Sequence, residues 1–230
     1  MRMKKTLYSL MLSEEVIREI DILAHRLGTN RSNLVNTILA EHVQLRTPEQ
    51  RVGDIFAAIE ELMSDSRELI CQLTPNAPSM ELRSCLEYKY RPTVRYEVEL
   101  FTGGANESDF IGRLSVIFRT QSTGLIEALQ SFFGSFKQIE DEYLPSVARR
   151  YLFEDGKLTR SIAYPVMNPY RKSKTDGNRL ELDAQELAGV ISEYIQLFDR
   201  LMKAYICGGM TKKELADEYR SELMKTEILI

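Results

Sequence analysis

Residues 4–45, KKTLYSLMLSEEVIREIDILAHRLGTNRSNLVNTILAEHVQL, carry the clearest structural pattern in the chain. Successive side chains of residues 6–12 would point to opposite faces of a strand, which gives this segment two distinct sides. Ser13 is a favourable residue for the start of a helix, and Glu14 and Glu15 place negative charge in its first turn. The beginning of the chain is therefore predicted to be a short strand that runs directly into a helix.

Two short amphipathic helices are predicted from apolar residues that recur at spacings of three and four. Gly28 can adopt the left-handed conformation that ends the first helix, and Asn30 is the predicted N-cap of the second. A lone strand and two apolar stripes cannot close a core in one copy, so two chains are expected to pair, strand against strand. The apolar positions are Val16, Ile17, Ile20, Leu23, Ala24 and Leu27 in the first helix, and Leu34, Val35, Ile38, Leu39 and Val43 in the second.

This arrangement resembles the ribbon-helix-helix family of DNA-binding proteins, to which the Arc and methionine repressors belong. The match is one of element spacing and helix caps, and it covers residues 4–45 only. It rests on the strand ending at Leu12-Ser13, the helix from Glu14 to Leu27, the turn at Gly28-Thr29 and the helix start at Asn30-Arg31-Ser32.

The family resemblance implies that two strands pair into an antiparallel ribbon, which enters the major groove of DNA and reads base edges. It also implies that the start of the second helix contacts phosphates. Free backbone N–H groups and a nearby guanidinium support that second role on physical grounds. Carried over by position, the base-facing residues are Lys5, Leu7, Ser9 and Met11, the inward-facing residues are Tyr8, Leu10 and Leu12, and the phosphate-contacting residues are Asn30, Arg31, Ser32 and Asn33.

The base-facing side of the strand departs from the family pattern at two positions. Leu7 and Met11 have no group that can hydrogen-bond a base, although they could touch thymine methyl groups. Direct readout would then rest on Lys5 and Ser9. The alternative interpretation is that this segment only holds two chains together.

The composition is that of an ordinary globular chain of 230 residues, with 43% hydrophobic residues, 28% charged residues and a net charge of −4. Cys71, Cys85 and Cys207 lie far apart and form no CxxC pair, which predicts a reducing cytoplasm and neither disulfides nor a zinc site. No apolar run reaches membrane-spanning length, so we expect no membrane contact.

No motif in the sequence points to catalysis or to a cofactor. His25 and His42 have no Cys or carboxylate at metal-ligand spacing, and the nucleophile-elbow, phosphate-loop and dinucleotide fingerprints are not found. We therefore predict no catalytic residue, no metal, no cofactor and a protein that is not an enzyme.

Residues 47–78 are predicted to form a linking helix and a hinge. Pro48 suits the first turn of a helix, an apolar stripe begins at Val52 and extends to Leu73, and Pro75-Asn76-Ala77-Pro78 breaks the pattern. The helix is either a coiled-coil stalk of the dimer or an element that packs on the next domain. We favour packing on that domain, with additional contact to the second chain.

Residues 79–230 are predicted to form a mixed α+β domain, because alternating apolar residues give way to helical spacing and back again. Asp155-Gly156 is a strong signal for a two-residue hairpin. Asp183 with Glu186, and Thr211 with Glu214, have the spacing of capping boxes. The predicted elements are strands at 80–90, 94–100 and 110–118, a helix at 122–144, a hairpin at 151–164, a loop at 167–178, and helices from 183 to 206 and from 211 to 226.

A basic segment lies within this domain. Residues 146–180 contain eight Lys or Arg and three acidic residues. Arg171, Lys172 and Lys174 form either a second contact to a DNA backbone or an ordinary solvated loop.

These observations predict three parts: a ribbon-helix-helix module at 1–46, a linking helix and hinge at 47–78, and an α+β domain at 79–230. The predicted protein is a cytoplasmic, homodimeric, sequence-recognising regulator of bacterial repressor type that binds double-stranded DNA. Its C-terminal domain would bind a small-molecule or protein effector, or join dimers into higher oligomers. The alternative is a partition or antitoxin type of assembly protein, in which the ribbon mainly dimerises. A third and less favoured alternative is an enzyme fused to a regulator.

Overall fold

The computed structural model describes residues 7–43, 45–64, 66, 69–73, 79–88, 92–102, 109–154, 156–171 and 179–230. Within these ranges the protein is a mixed α+β structure built on an antiparallel sheet, as the sequence predicts. The predicted hinge at residues 75–78 lies outside them.

Helices α1, Glu14–Arg26, and α2, Arg31–His42, begin directly after their predicted N-caps. The Ser13 hydroxyl accepts a hydrogen bond from the Val16 N–H at 3.4 Å, and the Asn30 side chain accepts one from the Asn33 N–H at 2.9 Å. Gly28 turns the chain between the helices with φ of +63°. Both predicted N-caps and the glycine turn are therefore confirmed.

Residues 7–13 belong to neither a helix nor a strand of the single chain. The predicted ribbon strand needs a second chain for its hydrogen bonds, because a strand has no hydrogen-bond partners within itself. The paired ribbon stays a prediction.

Helix α3 spans Pro48–Met63 and opens with a capping box between Thr47 and Gln50. The prediction that this helix continues to Leu73 is wrong. Residues Leu69–Leu73 instead form strand β1, which pairs antiparallel with the next strand. A short apolar run fits either period, and the hydrogen bonds offered by a neighbouring strand decide between them.

The main sheet has six antiparallel strands. Buried and exposed side chains alternate along its central strands, as predicted for a sheet with one covered face. Glu154 lies opposite Lys157 across the predicted hairpin, and Gly156 has φ of +70°. Asp155 lies outside the described residues. Besides β1, the strands of the sheet are β2, Ser79–Cys85, β3, Thr93–Leu100, β4, Phe110–Phe118, β5, Tyr151–Glu154, and β6, Lys157–Ala163. They lie side by side in the order β1-β2-β3-β4-β6-β5.

Helices cover one face of this sheet. They include α4, Thr123–Tyr143, and α5, Ala184–Gly208, which bring Phe133 to 5.9 Å from Phe118 and Phe198 to 6.2 Å from Tyr96, measured between ring centres. Helix α3 packs on α5 and contributes to this core. Within one chain the predicted linking helix therefore packs on the C-terminal domain, which is the alternative that we favour. Its contact with a second chain stays a prediction.

The end of the chain closes the fold. Helix α6, Lys212–Leu223, packs on α4 and α5, and the capping boxes predicted for α5 and α6 are both present. A small second sheet pairs β7, Val166–Met167, with β8, Ile228–Leu229. Neither of these two strands was predicted from the sequence. None of the helices in the described ranges is long and apolar enough to cross a membrane.

Candidate nucleic-acid interface and the cavity of the C-terminal domain

The predicted base-facing residues of the N-terminal segment lie on its surface. Leu7 is 98% exposed, Met11 is fully exposed, and Ser9 is exposed beside them. Lys5 lies outside the described residues. The predicted inward-facing residues Tyr8, Leu10 and Leu12 are exposed as well, so in one chain neither side of the segment is covered.

The apolar faces of α1 and α2 are covered only in part. Ala24 and Leu34 are the buried residues of the two helices. An apolar depression of about 290 Å³ runs along α1 and is lined by Val16, Ile20 and Leu23 together with two glutamates. The large apolar side chains left exposed in residues 14–45 are Val16, Ile22, Leu27, Ile38, Leu39, Val43 and Leu45. Large exposed apolar patches are typical of interaction surfaces.

The start of α2 carries the predicted phosphate contacts Asn30, Arg31, Ser32 and Asn33. The Asn30 side chain caps the Asn33 N–H, and helix geometry leaves the N–H groups of Arg31 and Ser32 without an acceptor four residues earlier. These two N–H groups and the positive end of the helix dipole suit an anion.

Arg31 is already engaged within the chain. Its Nε donates to Asp21 Oδ1 at 2.6 Å, and its terminal nitrogen donates to the other carboxylate oxygen. This hydrogen bond to Arg31 is the main reason that the pKa of Asp21 lies below its ordinary value. A phosphate could replace Asp21 on this edge of the guanidinium or bind the N–H groups that Asp21 leaves free.

Of the three residues of the predicted second basic contact, Arg171 is within the described residues. Arg171 donates to the main-chain oxygen of Lys225 at 2.7 Å and forms an ion pair with Glu227 at 3.3 Å. It ties the segment after β7 to the segment before β8. Lys172 and Lys174 lie outside the described residues.

A cavity of about 710 Å³ in the C-terminal domain was not predicted from the sequence. It lies between α5, α6 and the last residues of the chain, and apolar side chains such as Leu144, Val190 and Leu197 form much of its wall. Three of the charged side chains that line it, Arg200, Glu222 and Lys225, form ion pairs. Arg200 contacts Glu218 at 2.8 Å and Glu222 at 3.5 Å, and Lys225 contacts Glu222 at 2.7 Å.

A buried polar cluster lies next to this cavity. Arg160 is 2% exposed and Glu140 is 0% exposed. The Arg160 guanidinium donates to the Glu140 carboxylate at 3.0 and 3.2 Å, and also to the main-chain oxygen of Ile230 at 2.7 Å. Three tyrosine hydroxyls, those of Tyr151, Tyr194 and Tyr219, donate to the same carboxylate.

The sequence contains a signal for this cluster. Glu140 lies within the aromatic stripe of α4, one turn after Phe136, and Arg160 lies between Leu158 and Ile162 on the apolar side of β6. Opposite charges at apolar positions of two separate elements indicate a buried pair, since an unpaired charge is too costly to bury. That the two elements meet could not be read from either pattern alone.

The two histidines are exposed near the C-terminal ends of α1 and α2. Within the described residues, His, Cys, Asp and Glu side chains form no group of three that could hold a metal ion. Comparison with protein-family models, with curated proteins and with solved structures finds no match.

Proposed function

We propose that the protein is a homodimeric DNA-binding regulator whose N-terminal segments form the DNA-contacting unit. The observation that carries this proposal is the exposure of apolar side chains in residues 7–45, among them Leu7, Leu39 and Val43, together with the apolar depression along α1. A second copy of the same segment would cover this surface and would supply strand hydrogen bonds to residues 7–12.

Pairing of two chains would create two faces with different tasks. Tyr8, Leu10 and Leu12 would turn inward against α1 and α2, and Lys5, Leu7, Ser9 and Met11 would face the major groove. The Ser9 hydroxyl and the Lys5 ammonium are the groups that would hydrogen-bond base edges. Leu7 and Met11 would contact thymine methyl groups.

The phosphate contacts would come from the start of α2. The free N–H groups of Arg31 and Ser32 and the Asn30 cap present one turn of helix to an anion. The Arg31 guanidinium would exchange the Asp21 carboxylate for a phosphate, which keeps two parallel hydrogen bonds in either state.

The C-terminal domain would supply control. Helix α3 connects the N-terminal unit to the core, and its Arg51 donates to the main-chain oxygen of Leu182, next to the start of α5. The Gln196 amide of α5 also contacts the sulfur of Met63 at 3.2 Å. An effector bound in the 710 Å³ cavity would shift α5, and the shift of α5 would move α3, because the two helices pack together. The effector would shift DNA affinity only as far as it binds the two states differently.

The test is a titration of the purified protein into duplex DNA selected from a genomic pool, at two salt concentrations. Arg31→Ala should weaken binding to all sequences about equally and should lower the salt slope by about one for each chain. Arg18→Ala is the matched control, because Arg18 is an exposed arginine of α1 outside the predicted contacts. DNA binding that is absent or independent of salt would contradict the proposal.

Dimerisation is tested separately by sedimentation. Ile38→Asp and Leu39→Asp place a charge in the proposed interface, and each should turn the dimer into a monomer without loss of helix content. A wild-type chain that sediments as a monomer with residues 7–45 uncovered would contradict the proposal.

A second candidate is an assembly protein in which the ribbon only dimerises and the C-terminal domain binds another protein. The full exposure of Leu7 and Met11, which cannot hydrogen-bond a base, favours it, as does the pairing of Arg31 with Asp21. In that case Ser9→Ala and Arg31→Ala would leave DNA retention unchanged, and one protein would co-purify in fixed stoichiometry.

A further inference from the structure

Strand β5 forms one edge of the six-stranded sheet and pairs with β6 only. The Ser161 N–H donates to the main-chain oxygen of Arg150 at 2.9 Å, and Glu154 stands opposite Lys157 beside the two-residue turn. Hydrogen-bonded and non-bonded pairs alternate along an antiparallel ladder, so the backbone groups of residues 150, 152 and 154 face β6. Those of Tyr151 and Phe153 face outward.

The sequence of this edge, RYLFE at residues 150–154, is complementary to itself when two copies run antiparallel. We propose that β5 pairs with β5 of a second copy of this chain, with Leu152 opposite Leu152. Arg150 then faces Glu154 of the other copy, and Tyr151 faces Phe153. The outward backbone groups of Tyr151 and Phe153 meet in this register, so each of the two Tyr151–Phe153 pairs exchanges two hydrogen bonds.

The side chains of β5 leave room for such a partner. Leu152 is 54% exposed and Phe153 is 47% exposed, although both belong to a strand of the main sheet. The Tyr151 hydroxyl donates to Glu140 of α4, which holds this side chain against the helices. The Tyr151 ring stacks on that of Phe153, with 6.2 Å between ring centres. A paired strand would cover Leu152 on one face of the sheet and Phe153 on the other.

The charges at this edge favour a second copy. Arg150 stacks 5.1 Å from the Phe110 ring, and within the described residues neither Arg150 nor Glu154 has an opposite charge within 4 Å. Edge strands that resist association carry charges that repel an incoming copy. Here residues 150 and 154 have opposite signs and would meet as two ion pairs related by twofold symmetry.

The contact is small, because four residues of strand bury less than the roughly 1,200–2,000 Å² of a stable interface. It would therefore be weak between single chains and stronger between chains already held in pairs, where the second contact forms at high effective concentration. If the N-terminal unit also dimerises, the edge joins dimers into larger assemblies. The proposal about β5 does not depend on DNA binding.

Disulfide trapping tests the register. In a background with Cys71, Cys85 and Cys207 replaced by Ser, Leu152→Cys places two thiols in a non-hydrogen-bonded pair. The Cα atoms of such a pair are about 4.5 Å apart, within the range that a disulfide spans. Phe153→Cys is the matched control, because strand geometry puts the two residues 153 about 8–9 Å apart. We expect Leu152→Cys to cross-link at least about tenfold faster than Phe153→Cys. Equal rates, a faster Phe153→Cys variant, or no cross-link in either would overturn the proposal.

Charge reversal tests the ion pairs. Arg150→Glu and Glu154→Arg each turn both cross-strand pairs repulsive and should lower the association constant measured by sedimentation about tenfold. The double variant restores opposite charges and should return to within about threefold of the wild type. Unchanged single variants, or a double variant as weak as the singles, would overturn the proposal. The wild-type equilibrium reads as dimer to tetramer if the N-terminal unit pairs, and as monomer to dimer if it does not.

Discussion

Arg31, at the start of α2, and Asp21, on α1, form an ion pair that joins the two N-terminal helices. Nε of Arg31 lies 2.6 Å from Oδ1 of Asp21, and a second nitrogen of the guanidinium donates to Oδ2. Arg31 is the side chain that the proposed function assigns to a DNA phosphate. The free protein thus holds this guanidinium in a planar, two-point contact that a phosphate could also accept.

The pKa of Asp21 should report where Arg31 is bound. The hydrogen bond from Arg31 lowers the pKa of Asp21, so Arg31→Ala should return it toward 3.8, as followed by carboxyl NMR during a pH titration. Saturating DNA should raise it in the same way if the guanidinium moves to a phosphate. Glu214 is an internal control, because the N–H and hydroxyl of Thr211 lower the pKa of Glu214 and neither is near Arg31. An Asp21 pKa that ignores DNA would show that Arg31 keeps its partner.

Removing the competing carboxylate should strengthen DNA binding. Asp21→Asn leaves Arg31 without its charged partner, so the guanidinium reaches a phosphate without first breaking an ion pair. We expect a lower Kd at low salt, with the gain reduced as salt screens the phosphate contact. If Asp21→Asn weakens DNA binding while the helix content is unchanged, the prediction is wrong.

The buried pair of Arg160 and Glu140 should be costly to break. Glu140→Gln leaves the Arg160 guanidinium buried without its counter-charge and should lower the free energy of unfolding by about 3–5 kcal/mol in urea denaturation. Lys137→Ala, which removes an exposed pair with Asp141 on the same helix, should cost less than about 1 kcal/mol. Glu140→Leu combined with Arg160→Met should be less destabilising than Glu140→Gln. A double variant worse than the single one would show that the pair stabilises the fold beyond its own desolvation.

Alkaline pH should unfold the domain through its buried tyrosines. Burial is the main cause that raises the pKa of Tyr96, Tyr151, Tyr194 and Tyr219 well above the ordinary value of 10.0. Their stabilisation is fully present below pH 10, where both states hold the proton. Above pH 10 the unfolded chain releases protons that the folded chain retains, so stability falls by about 1.4 kcal/mol per pH unit for each tyrosine.

This effect is measured by urea denaturation across that pH range, together with the absorbance of ionised tyrosine. In Tyr96→Phe the slope should decrease by the share of one tyrosine. Ionisation of all tyrosines near pH 10, before the protein unfolds, would contradict the prediction.

Two glycines should respond in opposite directions to the same substitution. A Cβ at Gly112 would overlap the main-chain oxygen of Glu99 and lie 2.9 Å from a methyl carbon of Leu100. Gly112→Ala should therefore cost about 1–3 kcal/mol or more. Gly134 lies inside α4 with no atom within 4 Å of the added carbon, so Gly134→Ala should stabilise by about 0.5–1 kcal/mol. Thermal unfolding of both variants decides the point, and a destabilised Gly134→Ala would contradict it.

Local signals in the sequence were sufficient for most element boundaries. The caps Ser13 and Asn30 and the capping boxes of Asp183 with Glu186 and of Thr211 with Glu214 each involve residues a few positions apart. Their hydrogen bonds depend little on the rest of the chain, which is why they could be predicted.

The conformation of residues Leu69–Leu73 could not be predicted from local signals. Their apolar pattern fits the end of a helix, but Leu69 lies opposite Ser84 and Leu73 opposite Met80 at the edge of the sheet. The choice between helix and strand was made by hydrogen bonds to β2, which lies beyond the segment. The cavity beside α5 and α6 could not be predicted for the same reason, since its walls come from separate parts of the chain.

The sequence by itself determined where the helices start, which strands alternate, and which residues of 7–45 are apolar. Only the tertiary structure decided that Glu140 meets Arg160, that Asp21 holds Arg31, and that β5 rather than β6 lies at the edge. Caps and periodicity are set by neighbouring residues along the chain. Ion pairs, cavities and free edges are set by which elements pack together, and that is fixed by the burial of the whole core.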